Sequence, residues 1–328
     1  MVTAKKGAES QNPTPSSGSA PPLGGREPIP AVVERLDWLE VQGIWPNGVR
    51  YLWTDGFGVI LLCSLAAELN DESYLDRAEE VVVAVDRVLG RDRGYRIGEA
   101  PDRGGQYFHY LTVWALALGV LGRRRPGYRE RSIAMVEQVH PRFVVPGLGI
   151  WWKMTEDLAG PARGFGLGAL DPFQSLAVYR FLDAGTGCLS AEIDDVARLV
   201  DLSWRDLRVT QDLGLGMMLW AAGGCRGEEW AEAHIARSLS VLELMWVDPP
   251  GYFSREPSAR SVRFAFTNYG VALGLQTVAS SSERVERLIG YFDDYRSHDH
   301  YDRDAITHVM GCAARLPGAW LQLADGPH

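Results

Sequence analysis

The sequence lacks the features that mark several classes of protein. Its four cysteines, Cys63, Cys188, Cys225 and Cys312, lie far apart without a Cys-x-x-Cys pair, which argues against a zinc site or a disulfide framework. The formal net charge of −9 argues against the basic surface of a nucleic-acid-binding protein. No apolar stretch reaches the roughly 20 residues of a membrane span without charges or turn signals. We therefore expect a soluble protein in the cytoplasm, bound neither to nucleic acid nor to a membrane.

The first residues also lack the apolar segment of a secretory signal peptide. Residues 1–27 are rich in proline, glycine and serine, a composition typical of a disordered tail. Apolar residues make up 46% of the whole chain, which is ample for a sizeable core. We predict a disordered tail over 1–27, followed by the folded part of the protein.

Strand signals are scarce, and two kinds of helix alternate in the folded part. The first kind has apolar residues at three- and four-residue spacing between charged ones, as in a helix half exposed to water. Such helices are predicted at 29–41, 73–90, 128–140, 190–207, 228–246 and 282–296. The second kind is apolar nearly all round and rich in glycine and alanine, which predicts burial on all sides. These helices are predicted at 55–69, 105–122, 172–185, 212–224, 264–279 and 304–318.

The strict alternation of six exposed and six buried helices predicts an all-α fold of six helical hairpins. Each hairpin would give one inner and one outer helix to a closed (α/α)6 toroid. An open α-solenoid is the alternative, but its repeats would be more regular in length and sequence. A solenoid would also lack a full ring of buried helices. The toroid is the better prediction, as a single domain over 28–328.

The inner helices of such a ring converge with their N-terminal ends on one face, and polar and aromatic residues are concentrated there. Carboxylates accept hydrogen bonds from hydroxyl groups, and aromatic faces stack on the apolar faces of sugar rings. We therefore predict a small, sugar-like substrate, with no cofactor and no metal. The predicted substrate-binding residues at these ends are Trp53, Arg96, Gln106, Tyr107, Tyr110, Asp171, Asn268, Tyr269 and Asp304.

The candidate catalytic residues lie in the same places. Glu99 and Asp102 stand in a glycine-bounded loop before an inner helix, where neither is an obvious helix cap. Asp55 lies close to the start of another inner helix, and His109 lies in a first turn, where the helix dipole disfavours its protonated form. His308 follows Asp304 by four residues, so the carboxylate would orient the imidazole.

A structural role competes with a functional one at several of these positions. Asp171 is followed by Pro172, which is typical of an N-cap before proline at the first helical position. Asp55 follows Thr54, which could itself cap the helix. Gln106 stands at i,i+4 spacing from Tyr110, so the two would share one helix face. Glu99 and Asp102 would be solvated charges if their loop is simply a surface loop.

The connection over 147–172 is the longest one before an inner helix. Long connections inside compact domains tend to be functional or disordered, and paired tryptophans favour order. Trp151, Trp152 and Lys153 are therefore predicted to form a lid or an aromatic platform over the funnel.

The helix alternation, the TDGFG segment at 54–58 and the block RIGEAPDRGGQYFHYL at 96–111 resemble the six-hairpin glycosidase-like superfamily. The likeness covers about 30–320. It is greatest to bacterial and fungal members that carry a RIGExPDRxGQYxHYL block followed by a YWKM-type segment, here Trp152 to Met154. The resemblance implies an (α/α)6 toroid and chemistry on sugars, in a superfamily that includes inverting glycosidases, epimerases and non-catalytic members.

A glycoside hydrolase is the leading hypothesis. Hydrolysis needs one protonated acid and one carboxylate base, and Asp102 or Glu99 would be the acid with Asp55 as the base. The alternatives are an isomerase, epimerase or cyclase with His109 and His308 as acid and base, and a non-catalytic binding protein. No oligomeric state follows from the sequence.

Overall fold

The computed structural model describes residues 19–247, 252–253, 264–280 and 282–323, with the backbone alone for 252–253. Twelve α-helices lie in this described part of the chain. They are α1 (Pro28–Val41), α2 (Leu52–Leu69), α3 (Ser73–Leu89), α4 (Phe108–Gly122), α5 (Tyr128–Phe143), α6 (Asp171–Asp183), α7 (Ser190–Ser203), α8 (Asp212–Gly223), α9 (Glu229–Met245), α10 (Ala265–Thr277), α11 (Ser282–Asp294) and α12 (Ala305–Arg315). Short 3₁₀-helices cover Pro101–Arg103, His300–Asp302 and Gly318–Leu323.

The even-numbered helices form a closed inner ring. Each contacts the next one in chain order, and α12 returns to contact α2. The odd-numbered helices pack outside, with α3, α5, α7, α9 and α11 each against the inner helix before it, and α1 against α12. The predicted (α/α)6 toroid is confirmed, and the first outer helix closes the ring against the last inner one.

The inner helices pack closely where glycines face each other, as α8 and α10 show. A Cβ atom on Gly216 would lie 2.3 Å from the carbonyl oxygen of Gly270, and one on Gly274 would lie 2.2 Å from the carbonyl oxygen of Gly216. Real side chains do not tolerate such distances. The glycine content of the buried segments therefore lets two backbones touch.

Six short strands accompany the helices in the described residues. They are β1 (Gln106–Tyr107), β2 (Val144–Val145), β3 (Gly149–Ile150), β4 (Lys153–Met154), β5 (Trp246–Val247) and β6 (Tyr252–Phe253). They pair antiparallel as β1 with β4, β2 with β3 and β5 with β6. Because Gln106 lies in β1 and α4 begins only at Phe108, the prediction that Gln106 shares a helix face with Tyr110 is wrong.

Residues 1–18 of the predicted tail lie outside the described residues, whereas its last part packs on the domain. Leu23 is fully buried, and its N–H donates to the Asp293 carboxylate over 2.6 Å. The Arg35 side chain donates from Nε to the carbonyl oxygen of Pro21 over 2.7 Å. The segment just before α1 is therefore held against α1 and α11.

Among the described helices, α2 has the length and apolar composition that would suffice to cross a membrane. In the protein, 83% of that apolar segment is buried, which is typical of the core helix of a globular domain.

Candidate active site

A cavity of about 960 Å³ lies where the N-terminal ends of the inner helices meet. All six inner helices contribute residues to its wall, together with the loops before them. Seven of the predicted site residues line it: Trp53, Asp102, His109, Tyr110, Trp152, Asp171 and Asp304. The structure therefore brings together residues that lie up to 251 positions apart in the chain.

Asp171 is the most enclosed carboxylate in the wall of the cavity. It is the first residue of α6, Leu170 is the N-cap, and the cap makes no side-chain hydrogen bond. The Asp171 side chain is 4% exposed, and burial raises its pKa to about 7 against the weaker effect of the nearby backbone N–H groups of Asp171 and His109. Asp171 is therefore a carboxylic acid whose proton is available near neutral pH.

The backbone before α6 fixes the position of this carboxyl group. A Cβ atom on Gly168 would lie 1.7 Å from Oδ2 of Asp171, so the carboxyl group rests on bare backbone. Pro172 in the first turn suits the helix start, because its ring fixes φ and it has no N–H to leave unpaired.

His109 stands beside Asp171 and is neutral. Its Nδ1 lies 3.8 Å from Oδ1 of Asp171, which is too long for a hydrogen bond. Burial lowers the pKa of His109 to about 3. The His109 ring packs edge-to-face on Tyr110 and lies nearly parallel to the Trp152 ring, with centroids 6.1 Å apart.

Apart from Nη1 of Arg50, which is ion-paired with Asp55, four buried polar atoms in residues that line the cavity have no hydrogen-bond partner among the described residues. They belong to Thr54 (Oγ1), His109 (Nδ1), Asp171 (Oδ1) and Gln174 (Oε1). Buried polar groups are normally paired, since leaving one unpaired costs about 1–3 kcal/mol. The four atoms belong to the inner helices α2, α4 and α6, which makes this part of the wall polar.

Tyrosine hydroxyls and one arginine form a network along the same wall. The hydroxyl groups of Tyr51 and Tyr110 are hydrogen-bonded to each other. Arg103 donates from Nη1 to the Tyr51 hydroxyl over 3.1 Å, and its guanidinium group lies over the Tyr51 ring. Trp53 packs against Tyr110 and donates from its indole to the sulfur of Met310.

The connection between α5 and α6 places a cluster of aromatic rings beside the cavity. Trp152 is 39% exposed, lines the cavity and contacts Tyr107, His109 and Phe165. The ammonium group of Lys153 lies over the rings of Tyr107 and Phe165. The pairing of β1 with β4 fixes this arrangement, because it places Tyr107 opposite Lys153.

Charged residues surround the mouth. Asp304 is the N-cap residue of α12, its side chain is 39% exposed, and its Oδ2 lies 3.6 Å from Nε2 of His300. Partial burial raises the pKa of Asp304 against the weaker effects of His300 and Arg103. Asp102 is 79% exposed on its side chain, 3.8 Å from the guanidinium group of Arg103.

Asp55 and Glu99 do not line the cavity but brace the loops that do. Asp55 is 1% exposed, and its carboxylate pairs with Arg50 at 3.0 Å and accepts hydrogen bonds from the Trp45 indole and the Tyr51 backbone. Burial raises the pKa of Asp55 to about 6 despite the Arg50 charge. Glu99 accepts a hydrogen bond from the Arg50 backbone N–H.

Five more predicted residues lie outside the cavity wall: Arg96, Gln106, Tyr107, Trp151 and Lys153. Gln106 is fully buried, and its side chain joins three backbone groups, the carbonyls of Arg93 and Glu156 and the N–H of Tyr95. Arg96 pairs with Glu156 at 2.9 Å. Gln106 and Arg96 therefore hold the loop before α4 against the connection between α5 and α6. The Tyr107 ring packs against the ring of Trp152.

His308, Asn268 and Tyr269 also lie outside the cavity wall. His308 contacts Arg35 through Nδ1 at 3.2 Å and the Asp302 carbonyl through Nε2 at 3.2 Å. Burial, with the Arg35 charge second, lowers the pKa of His308 to about 3. The prediction that Asp304 orients His308 is therefore wrong, because the imidazole turns toward α1 and its two ring nitrogens are already occupied.

Some residues of the wall were not predicted. Thr54, Gln174, Tyr51, Arg50, Arg103 and His300 line the cavity. Gln174 follows Asp171 by three residues and therefore shares its face of α6, which the helix period could have indicated. Arg50 and Tyr51 precede α2 in a segment without a recognisable pattern.

No group of three or more His, Cys, Asp or Glu side chains in the described ranges is arranged to hold a metal ion. All four cysteines are free thiols.

No protein-family model matches the chain, and no curated protein matches it by sequence. Solved structures do match. A family 76 α-mannanase of Bacteroides thetaiotaomicron is 10% identical with a TM-score of 0.63, over 81% of this chain and 86% of that one. A cellobiose 2-epimerase of Spirochaeta thermophila is 11% identical with a TM-score of 0.57, over 83% and 86% of the two chains.

A third match is an inactive variant of an α-1,6-mannanase of Salegentibacter in complex with α-1,6-mannotriose. It is 14% identical with a TM-score of 0.54, over 82% of this chain and 89% of that one. At these identities the likeness concerns the fold. The chain has the (α/α)6 toroid fold of the six-hairpin glycosidases and sugar epimerases.

Proposed function

We propose that the protein is a carbohydrate-active enzyme, a glycoside hydrolase in which Asp171 gives the proton to the leaving group. The observation that carries this proposal is Asp171 itself, a buried carboxyl group in the wall of the cavity with a free oxygen and a pKa near 7. A general acid works best when its pKa lies near the working pH.

The proposed step is a single displacement. As the bond between the anomeric carbon and the glycosidic oxygen breaks, the Asp171 O–H gives its proton to that oxygen, which leaves as an alcohol. A water oxygen bonds to the anomeric carbon from the other face and loses a proton to a carboxylate base. Asp171 ends as a carboxylate and the base as a carboxylic acid, and later proton exchange with solvent restores both.

Asp304 is the proposed base. It is the N-cap of α12, and α12 lies three places from α6 in a ring of six, so the two carboxyl groups stand on opposite sides of the cavity. Asp102 also lines the mouth but is exposed to solvent. Asp55 is not proposed as the base, because its carboxylate oxygens already bind Arg50, the Trp45 indole and a backbone N–H.

The remaining wall suits a sugar. Thr54, His109 and Gln174 each offer an unpaired buried polar atom for hydroxyl groups, and Trp152 offers an exposed aromatic face at the mouth. A neutral His109 both donates and accepts hydrogen bonds without adding charge. The free thiols support a reducing compartment such as the cytoplasm.

The structural neighbours include mannanases and epimerases. The inactive mannanase has two adjacent aspartates replaced. In this chain the adjacent aspartates 194–195 and 293–294 lie on outer helices α7 and α11. Neither adjacent pair lies in the inner ring, so the proposed acid and base, Asp171 and Asp304, instead belong to the starts of two different inner helices. An epimerase working through His109 and His308 is not favoured, since only His109 reaches the cavity.

The test is hydrolysis of a panel of chromogenic aryl glycosides and oligosaccharides by the wild-type protein and two variants. Asp171→Asn should lower kcat/KM about 10²–10⁴-fold, the usual contribution of an acid–base group. Asp212→Asn is the matched control. Asp212 also begins an inner helix, but its carboxylate accepts from Thr267 and the Leu213 N–H outside the cavity wall. Equal activity of the two variants, or isomerisation of free sugars without hydrolysis, contradicts the proposal.

A further inference from the structure

The inner helices divide the cavity wall into two halves of different chemistry. The consecutive helices α2, α4 and α6 contribute Trp53, Thr54, His109, Tyr110, Asp171 and Gln174. The other three helices, α8, α10 and α12, contribute Leu213, Gly214, Met217, Phe266, Ala305 and Ile306. Within the described residues, no polar side chain from the body of the second three helices reaches the cavity.

Polar residues do occur at the start of α8 and α10, but they bond to each other. The Thr267 hydroxyl donates to the Asp212 carboxylate over 2.8 Å, and the Asn268 amide donates to the Phe264 carbonyl over 3.1 Å. Asn268 is fully buried. The residues directly before α8 and α12 do give polar groups to the cavity, namely Gln211, His300, Tyr301, Arg303 and Asp304, whereas the three helices themselves give it only apolar side chains.

The loops before α2 and α6 add exposed apolar residues to the same cavity. Three of the ten large hydrophobic residues that are exposed in the described chain, Val49, Trp152 and Leu167, line this cavity. Exposed apolar surface that gathers at one opening marks a binding site for an apolar group. A volume of about 960 Å³ is at the upper end for small-molecule sites, which leaves space beyond a single sugar ring.

Asp171 lies at the boundary between the two halves. Helix α6 is the last of the polar three and contacts α8, the first of the apolar three. Leu170, directly before Asp171, lines the cavity, and a Cβ atom on Gly214 of α8 would lie 3.5 Å from its side chain. A bond that is broken at Asp171 would therefore have hydroxyl-binding groups on one side and aliphatic side chains on the other.

We infer that the substrate is a glycoside with an apolar aglycone, such as an alkyl, aryl or terpenoid group, which lies against α8, α10 and α12 while the sugar lies against α2, α4 and α6. This inference rests on the proposed function, because it takes Asp171 as the acid at the bond between the two parts.

The test measures binding of n-alkyl D-glucopyranosides and D-mannopyranosides, in both anomers and from methyl to hexyl, by calorimetry, beside the n-alkanols of the same length. The wild-type affinity should rise about fourfold for each added methylene that is buried. Each glycoside should also bind more tightly than its alkanol, because hydroxyl groups meet the polar half.

Two variants make the result specific. Leu213→Asn introduces an amide into the apolar half at a partly buried position and should reduce the gain per methylene to less than twofold. Leu202→Asn, on outer helix α7 with 65% of the residue exposed, should leave the gain unchanged.

The outcomes separate the two proposals. If methyl and hexyl glycosides bind equally well, or if Leu213→Asn and Leu202→Asn behave alike, the inference about the aglycone is overturned while sugar binding still supports the proposed function. If the glycosides bind no more tightly than the alkanols, the proposed function is contradicted and the inference fails with it.

Discussion

Nδ1 of His109 and Oδ1 of Asp171, two residues of the cavity wall, lie 3.8 Å apart, and neither atom has a hydrogen-bond partner in the described part of the chain. Burial acts on the two groups in opposite directions, raising the pKa of Asp171 to about 7 and lowering that of His109 to about 3. Near pH 6 both groups are therefore mostly uncharged. An acid that keeps its proton beside a neutral hydrogen-bonding ring can protonate a leaving oxygen.

This arrangement predicts the pH dependence of hydrolysis. The acid must be protonated, so kcat/KM should fall as the pH rises through about 7, where Asp171 loses its proton. The base must be ionised, so activity should also fall at low pH as Asp304 gains a proton, and partial burial shifts that limb above the usual range of an aspartate. The measurement is kcat/KM from pH 4 to 9. Any activity left in Asp304→Asn should no longer fall at low pH. An unchanged bell-shaped pH profile of kcat/KM would show that another group is the base.

Gly168 predicts how sensitive the site is to the position of the acid. Gly168→Ala should lower kcat/KM at least tenfold, because its Cβ atom would lie 1.7 Å from Oδ2 of Asp171 and push the carboxyl group aside. Gly166→Ala is the control two residues earlier, where a Cβ atom meets nothing within 4 Å. Kinetics and circular dichroism of both variants check the prediction. A Gly168→Ala enzyme as active as Gly166→Ala would mean that the Asp171 carboxyl can move freely.

We predict that substitution of Trp152 lowers the affinity for substrate and leaves the rate of the chemical step nearly unchanged. Trp152→Ala should raise KM or Kd about three- to tenfold with little change in kcat, because an exposed ring at the mouth stacks on the substrate without touching the reacting atoms. Trp152→Phe keeps an aromatic face and should recover most of the affinity. Equal losses in both variants would assign Trp152 to packing of His109 and Tyr107 instead.

The contact between α8 and α10 predicts a stability effect away from the cavity. Gly274→Ala should lower the free energy of unfolding by about 1–3 kcal/mol, since its methyl group would overlap the Gly216 backbone. Gly290→Ala on outer helix α11 meets no atom within 4 Å and should be neutral or stabilising by about 0.5–1 kcal/mol. Urea unfolding monitored by tryptophan fluorescence measures both. If Gly274→Ala is as stable as Gly290→Ala, the two helices can separate without loss.

The fold could be predicted from the sequence because the burial of a helix determines its pattern of polar and apolar residues. Helices α3 and α8 lie within one residue of their predicted ranges, since an amphipathic and a wholly apolar segment are easy to tell apart. The start of α4 could not be predicted from the sequence. Gln106 and Tyr107 directly precede the apolar run of the helix, and only their pairing with Met154 and Lys153, 48 and 46 residues further along, makes them a strand.

The candidate site could be predicted from the sequence less completely than the fold. The sequence indicates which ends of the helices meet, but not which side chains turn inward. Asp55 and Asp171 both lie in the first turn of an inner helix, yet Arg50 and Trp45 bind the first, while the second lines the cavity and has one unpaired oxygen. His308 was expected at the site and instead contacts Arg35 of α1, because the closing of the ring brings those distant segments together.

The most direct test of the account is the ionisation of the Asp171 carboxyl group, followed by ¹³C NMR of protein labelled at the aspartate carboxyl carbons, with Asp171→Asn to assign the signal. We predict a pKa of about 7, because burial outweighs the two backbone N–H groups nearby. A pKa near 4, the value of an ordinary aspartate, would contradict the account, since Asp171 would then carry no proton to give at neutral pH.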